Sequence, residues 1–330
     1  MSATNGRPPA NTKQPSQDSD NSRLETAARA GWLYYIAGNT QDEIARKLKV
    51  SRATAQRLVS LCLTQRLITF RLEHPIANCM SLAAQLRDVY ELKYCDVAPT
   101  DSSNPHSLVG VAELAAVFLE GILRGEKPSI IGIGTGRAMR ATVERVAALQ
   151  APDHQLVSLV GNLSPGGAAS PFDAVARLAN LTGAEHYPMP LPVFVPSEHE
   201  RQALLGLQVV KRMRALATKA DLRLVGVGHL DHAAPLHVDG FISRTDLIDL
   251  MRLGAVGEIV GWAMNASGRV LEGGTNRLIT SVPLQVPPHN LTVAVAIGKA
   301  KVAAIQAAMR GRIVNGLITD EATAKAILKG

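Results

Sequence analysis

Aromatic side chains are scarce in this chain, 4% of its 330 residues, which excludes a protein that reads nucleic acid mainly by stacking bases on aromatic platforms. Cysteine is scarcer still. Cys62, Cys79 and Cys95 are an odd count, far apart and without a Cys-x-x-Cys pair, so neither a disulfide framework nor a structural zinc site is expected. No stretch reaches about 18 uninterrupted apolar residues, so no helix should span a bilayer. Residues 1–23 are rich in Ser, Asn, Asp, Gln and Pro and lack the apolar core of a secretory signal. They read as a disordered tail, and the cytoplasm is the expected location. There is no P-loop and no Gly-x-Ser-x-Gly nucleophile elbow. A nicotinamide dinucleotide is a poor candidate too, because Leu159-Val160-Gly161-Asn162 stands where a ribose-holding acid should end the second strand. No cofactor is expected.

What is present points to a globular protein of two or three domains: 46% of residues are hydrophobic, 19% are charged and the mean hydropathy is +0.08. The net charge of +7 is unevenly placed. Residues 1–75 carry eleven basic and six acidic side chains, whereas the remaining 255 carry 24 and 22. A small basic module is the pattern of a part that meets a polyanion while the rest meets something else.

In that module, Leu24 to Ala37 fits a helix ending at Gly38. Thr40 then has Glu43 at the capping-box spacing, with Ile44, Ala45 and Leu48 as the buried stripe of a second helix. Ser51 offers the cap of a third, running to about Gln65 with Ala55, Leu58 and Leu61 or Cys62 inward. Two short capped helices around a tight turn, with small Ala45 at the crossing and Val50 in the turn, form the helix-turn-helix pattern. Ser51, Arg52, Ala53, Gln56 and Arg57 then fall on the groove-facing half of the last helix, where Arg and Gln can each make two hydrogen bonds to a base edge. Lys47, Lys49 and Thr54 flank them as phosphate contacts. The segment Leu67–Leu72 alternates like a short β-wing. From Asn78 to Leu92, Met80, Leu82, Ala83, Leu86, Val89 and Leu92 recur at helical spacing, either as a linker helix over residues 76–93 or as the first helix of the larger domain.

Beyond Tyr94 apolar strand-like runs alternate with helical stretches. Strands are predicted at Tyr94–Val97, Ser129–Gly132, Gln155–Leu159, Leu222–Val227, Glu258–Trp262, Leu291–Ala296 and Val314–Ile318. Helices are predicted at Gly110–Leu123, Ala138–Gln150, Ser170–Thr182, Glu198–Ala217 and Lys299–Met309. Such alternation predicts a doubly wound α/β domain over 94–330, with ligands at the C-terminal strand ends. The first such end, Gly132-Ile133-Gly134-Thr135-Gly136-Arg137, is a strand running through glycines into a helix, where backbone amides, the Thr135 hydroxyl and the Arg137 cation suit a phosphate or a polyol. The cluster Gly228, His229, Asp231, His232, His237 and Asp239 has no metal-ligand spacing and reads as a solvent-facing or ligand-gating loop.

The chain resembles the SorC family of bacterial sugar-responsive transcriptional regulators over about residues 24–330. The resemblance is carried by Thr40 to Arg57, the Gly132–Arg137 loop, Leu253-Gly254-Ala255-Val256-Gly257-Glu258-Ile259, Ala296-Ile297-Gly298-Lys299-Ala300-Lys301, and Val314-Asn315-Gly316-Leu317-Ile318-Thr319-Asp320-Glu321. It implies an effector domain like those of sugar-phosphate isomerases and CoA transferases, assembly into homodimers or homotetramers, double-stranded operator DNA as partner, and a sugar, polyol or sugar phosphate as signal. It places Gly132, Gly134, Thr135, Gly136, Arg137, Asn162, Glu258 and Lys301 at the effector. Glu258 stands where many relatives have Asp, and Ile297 replaces a common double glycine. Such a regulator acts as a repressor or an activator of its operon. Two other readings compete: a sugar-phosphate isomerase or deaminase with Glu258, Asp231 or His229 as acid/base, and a nonspecific nucleoid protein that binds every duplex alike.

Overall fold

A computed structural model describes residues 17–65, 67–68, 76–163, 167, 170 and 173–330, which fall into two compact units, 1–74 and 75–330. In the first unit α1 (Gln17–Gly31) continues into a π-helical turn at Trp32–Ile36, followed by α2 (Gln41–Leu48) and α3 (Arg52–Thr64). α1 starts seven residues before Leu24, inside the stretch expected as a tail, and residues 1–16 of that stretch lie outside the described residues. The capping box forms as its spacing requires, the Thr40 Oγ1 accepting from the Glu43 N–H at 3.4 Å and Glu43 Oε2 accepting from the Thr40 N–H at 2.8 Å. Ser51 Oγ accepts from the Thr54 N–H at 3.1 Å and caps α3. Ala27, Ala30, Ile44, Ala45, Ala55, Leu58 and Val59 make the core of this unit. The β-wing expected at Leu67–Leu72 falls mostly outside the described residues.

The second unit opens with α4 (Ala77–Tyr90), which packs on the first strand and the last helix of the same unit, so it is the first helix of the larger domain. Its buried face is Cys79, Leu82, Ala83 and Leu86, whereas Met80 and Val89, expected inside, are exposed. The apolar stripe contained both solutions, and the neighbouring sheet selects the one through Cys79.

The chain then runs β1 (Tyr94–Ala98), α5 (Val109–Leu123), β2 (Ile130–Ile133), α6 (Arg137–Val143), β3 (Gln155–Ser158), α7 (Val175–Thr182), β4 (Glu185–Tyr187), α8 (Glu198–Gly206), α9 (Gln208–Thr218) and β5 (Leu222–Gly226). It continues through β6 (Gly228–His229), α10 (Pro235–Val238), α11 (Arg244–Arg252), β7 (Ala255–Ile259), β8 (Trp262–Asn265), β9 (Leu291–Val295), α12 (Val302–Arg310), β10 (Gly316–Asp320) and α13 (Glu321–Lys329). Seven strands form one parallel sheet in the order β1-β10-β9-β5-β2-β3-β4. Successive residues of these strands enter opposite cores, as a period of two demands. Ile131, Leu156, Leu224, Val293 and Ile318 face α5, α6 and α7, whereas Val157, Val225, Ala294 and Leu317 share the other core with α4, α9, α12 and α13. This is the doubly wound α/β fold.

Four predicted elements need correction. The run Glu258–Trp262 is not one strand of the large sheet but the turn of an antiparallel β7–β8 hairpin, in a separate small sheet with β6. Val260 and Gly261 both have positive φ there (46° and 88°), as a two-residue hairpin turn requires. The helix expected to reach Gln150 stops at Val143, and the freed N–H of Ala147 is taken by the buried Glu120 carboxylate at 2.9 Å. The helix expected over Glu198–Ala217 breaks at Leu207, whose backbone is extended (ψ 134°). The helix expected from Lys299 begins as a 3-10 turn.

Candidate functional site

Order in the sheet locates the site. From β2 the chain steps outward to β3 and β4 on one side, and from β5 to β9 and β10 on the other, so the winding reverses between the neighbours β2 and β5. Past the C-terminal ends of two such strands the loops diverge and leave a crevice. A cavity of about 370 Å³ lies there, a volume at the small-molecule scale. Its walls come from Thr135, Gly136 and Arg137 after β2, Gly226 at the end of β5 and Val227 after it, His229 on β6, Glu258 on β7, Val260 and Gly261 in the hairpin turn, and Lys301 before α12. The segment between β6 and α11 completes it with Ala233, Pro235, Leu236, Val238, Asp239 and Phe241.

Thr135, Gly136, Arg137, Glu258 and Lys301 are therefore brought together from three distant parts of the sequence. Gly132, Gly134 and Asn162, expected with them, are not on the wall. A Cβ at Gly132 would stand 2.7 Å from Leu159 Cδ2, and one at Gly134 would stand 3.3 Å from the Leu224 carbonyl oxygen. These glycines let the loop pass close to neighbouring strands, which is a packing task. Asn162 donates to Asp173 Oδ2 at 3.2 Å. His229, Asp239 and Phe241 are wall residues that the effector assignment omitted. Their signal was the His/Asp-rich loop after the fifth strand, part of which lines the cavity.

Glu258 is anchored by the hairpin: its Oε2 accepts from the Gly261 N–H at 2.6 Å. A Cβ at position 228 would stand 2.0 Å from Glu258 Oε1, so Gly228 provides the space the carboxylate fills. Burial raises the Glu258 carboxyl above its ordinary range, outweighing the Gly261 N–H and the Lys301 charge. Burial likewise lowers the Lys301 ammonium, against the attraction of Glu258, with Arg137 lowering it further. His229 is also lowered by burial, so it tends to the neutral imidazole; its Nε2 lies 3.5 Å from Asp231 Oδ1. Arg137 grips Asp239 with two parallel bonds, Nη2 to Oδ1 at 2.7 Å and Nη1 to Oδ2 at 3.0 Å. Hydroxyl-rich ligands suit such a wall, because it offers both donors and acceptors over an apolar floor. Among the described residues no group of His, Cys, Asp and Glu is arranged to hold a metal ion, and no helix is long and apolar enough to cross a membrane.

In the first unit the expected DNA contacts all lie at α2 and α3. Arg52, Ala53, Gln56 and Arg57 are exposed on α3. Arg52 Nε rests 3.4 Å from Asp42 Oδ1, the Lys47 ammonium donates to Asn39 Oδ1, and the hydroxyls of Ser51 and Thr54 are 2.8 Å apart at the cap. Lys49 closes α2 with a left-handed backbone, φ 54°.

Residues 74–329 match the Sugar-bind domain family. The chain is 33% identical to the erythritol catabolism regulatory protein EryD of Brucella abortus, over 92% of this chain and 96% of that one. It is 30% identical to the transcriptional regulator LsrR of Klebsiella pneumoniae, over 92% of this chain and 93% of that protein. Among solved structures, the full-length sorbitol operon regulator SorC from Klebsiella pneumoniae superposes with a TM-score of 0.68 at 24% identity, covering 93% of this chain and 99% of that one.

Proposed function

Because this chain belongs to the SorC family of sugar-responsive transcriptional regulators, we propose that the cavity over β2 and β5 is its effector site and that α3 is the helix that reads its operator. The chain is a sugar- or polyol-responsive, DNA-binding transcriptional regulator, and its relatives are named as regulators rather than enzymes. The isomerase or deaminase reading is therefore not favoured.

Thr135, Arg137, Glu258 and Lys301 contact the effector, the first two from the turn after β2, Glu258 from β7 and Lys301 from the turn before α12. Lys47, Lys49 and Thr54 hold phosphates, while Ser51, Arg52, Ala53, Gln56 and Arg57 face the groove. The regulator acts in the cytoplasm as a homodimer or homotetramer. Linkage gives the mechanism: the effector binds one arrangement of protomers better than another, and the two arrangements present their paired reading helices at different spacings.

The observation that carries this reading is the convergence of Thr135, Arg137, Glu258 and Lys301 on one ligand-sized cavity at the reversal of the sheet. A thermal-unfolding screen of the full chain against polyols, sugars and sugar phosphates tests it. At least one compound should raise the melting temperature by mass action, and Lys301→Met should abolish that rise. A rise that survives Lys301→Met unchanged would place the ligand elsewhere.

A further inference from the structure

We infer that Asp239 sets the charge of the effector: the cavity takes an uncharged polyol in preference to the corresponding phosphate monoester, because the Asp239 carboxylate already holds Arg137, the cation the glycine loop would offer to an anion. The inference rests on the reading of this cavity as the effector site.

A planar guanidinium recognises phosphate and carboxylate through the same pair of parallel N–H bonds. In this structure that fork is engaged by Asp239 at 2.7 and 3.0 Å, across 102 positions of sequence. The acid is the better shielded partner, its side chain 18% exposed against 53% for Arg137. A phosphate that took the fork would leave the Asp239 carboxylate poorly hydrated, unpaired and close to the incoming charge, which is costly on both counts.

The other cation offers no relief. Lys301 shares the wall with Glu258, and burial moves each of them toward its neutral form. The Glu258 carboxyl lies against Lys301 and offsets its charge, and burial lowers the His229 imidazole as well. The cavity is thus balanced, two basic side chains against two acidic ones, without a ligand. A hydroxyl can donate to Glu258 or Asp239 and accept from Lys301 or Arg137 while leaving that balance intact. A phosphate monoester brings negative charge that no further cation on the cavity wall, among the described residues, offsets.

Isothermal titration of the full chain with erythritol, ribitol and sorbitol, each beside its terminal phosphate monoester, tests the inference in wild type, Asp239→Asn and Asp239→Glu. Wild type should bind at least one alditol, and bind its phosphate about tenfold more weakly or worse. Asp239→Asn keeps the side chain's size and removes its charge, so it should tighten the phosphate selectively and close that gap; Asp239→Glu should retain the preference for the alditol. A wild type that binds the phosphate as tightly as the alditol overturns the inference, whether or not the variants fold. So does an Asp239→Asn protein of unchanged selectivity. Failure of every alditol and every phosphate to bind would instead remove the effector-site reading and this inference with it.

Discussion

Glu258 concentrates the physics of the cavity in one side chain. Its carboxyl is held above the ordinary value of 4.5 chiefly by burial, so it gives up its proton less readily in the folded chain than in the unfolded one. A raised value has a definite consequence for stability: the contribution is complete below the unfolded value and is lost as pH climbs through the folded one. Glu258→Gln cannot ionise, and its amide oxygen can still accept the Gly261 N–H. In the absence of ligand, the urea midpoint of wild type should therefore fall relative to Glu258→Gln as pH rises from the ordinary carboxylate range toward neutrality. A midpoint that instead rises relative to the variant would mean that Lys301 and the Gly261 N–H outweigh burial. Glu258 itself was legible in the sequence, inside the Leu253–Ile259 motif. Asp239 was legible only as part of a polar loop, because its meeting with Arg137 is made by the fold and by no local pattern.

The turn between α2 and α3 shows what can be read at the scale of an element. Thr40, Glu43 and Ser51 announced both helix starts, and the caps form with those residues, because capping depends only on neighbours three positions apart. Lys49 is where local preference is overruled: a non-glycine residue takes φ 54° so that its N–H can close α2 on the carbonyls of Ala45 and Arg46. Lys49→Gly should accordingly stabilise the protein by about 0.5 kcal/mol, the left-handed strain it relieves slightly exceeding the added freedom of the unfolded chain. The same change removes a cation beside the reading helix and should lower affinity for any duplex and flatten its salt dependence by about one unit of slope. Chemical denaturation and a salt titration of DNA binding measure the two effects separately; a loss of affinity without a change in slope would take Lys49 off the phosphates. The hairpin at β7–β8 was misread for the opposite reason. Its turn holds Val260, a β-branched residue at φ 46°, where sequence preference argues for continued strand. That strained valine also lines the cavity, and the backbone it distorts is what positions the Glu258 carboxylate against Gly261.

At the scale of the whole chain the doubly wound sheet was legible because parallel strands buried on both faces write themselves as apolar runs separated by helices. The order of those strands was not legible, and the order is what puts the reversal between β2 and β5 and so places the cavity. Asn162 marks the limit of motif reading: it sits near a strand end, yet beyond β3 rather than at the reversal, and its amide is taken by Asp173. On the proposed reading the protein's activity needs both units, the small basic helix-turn-helix unit and the larger unit with its small-molecule-sized cavity, coupled by differential affinity. A fluorescence-anisotropy titration of the full chain with the promoter fragment upstream of its neighbouring genes, with and without the alditol that most raises its melting temperature, tests that coupling most directly. The ligand should change the promoter affinity by about fivefold or more at fixed salt and leave affinity for random duplex unchanged. Identical affinities with and without ligand, on every upstream fragment, would contradict it.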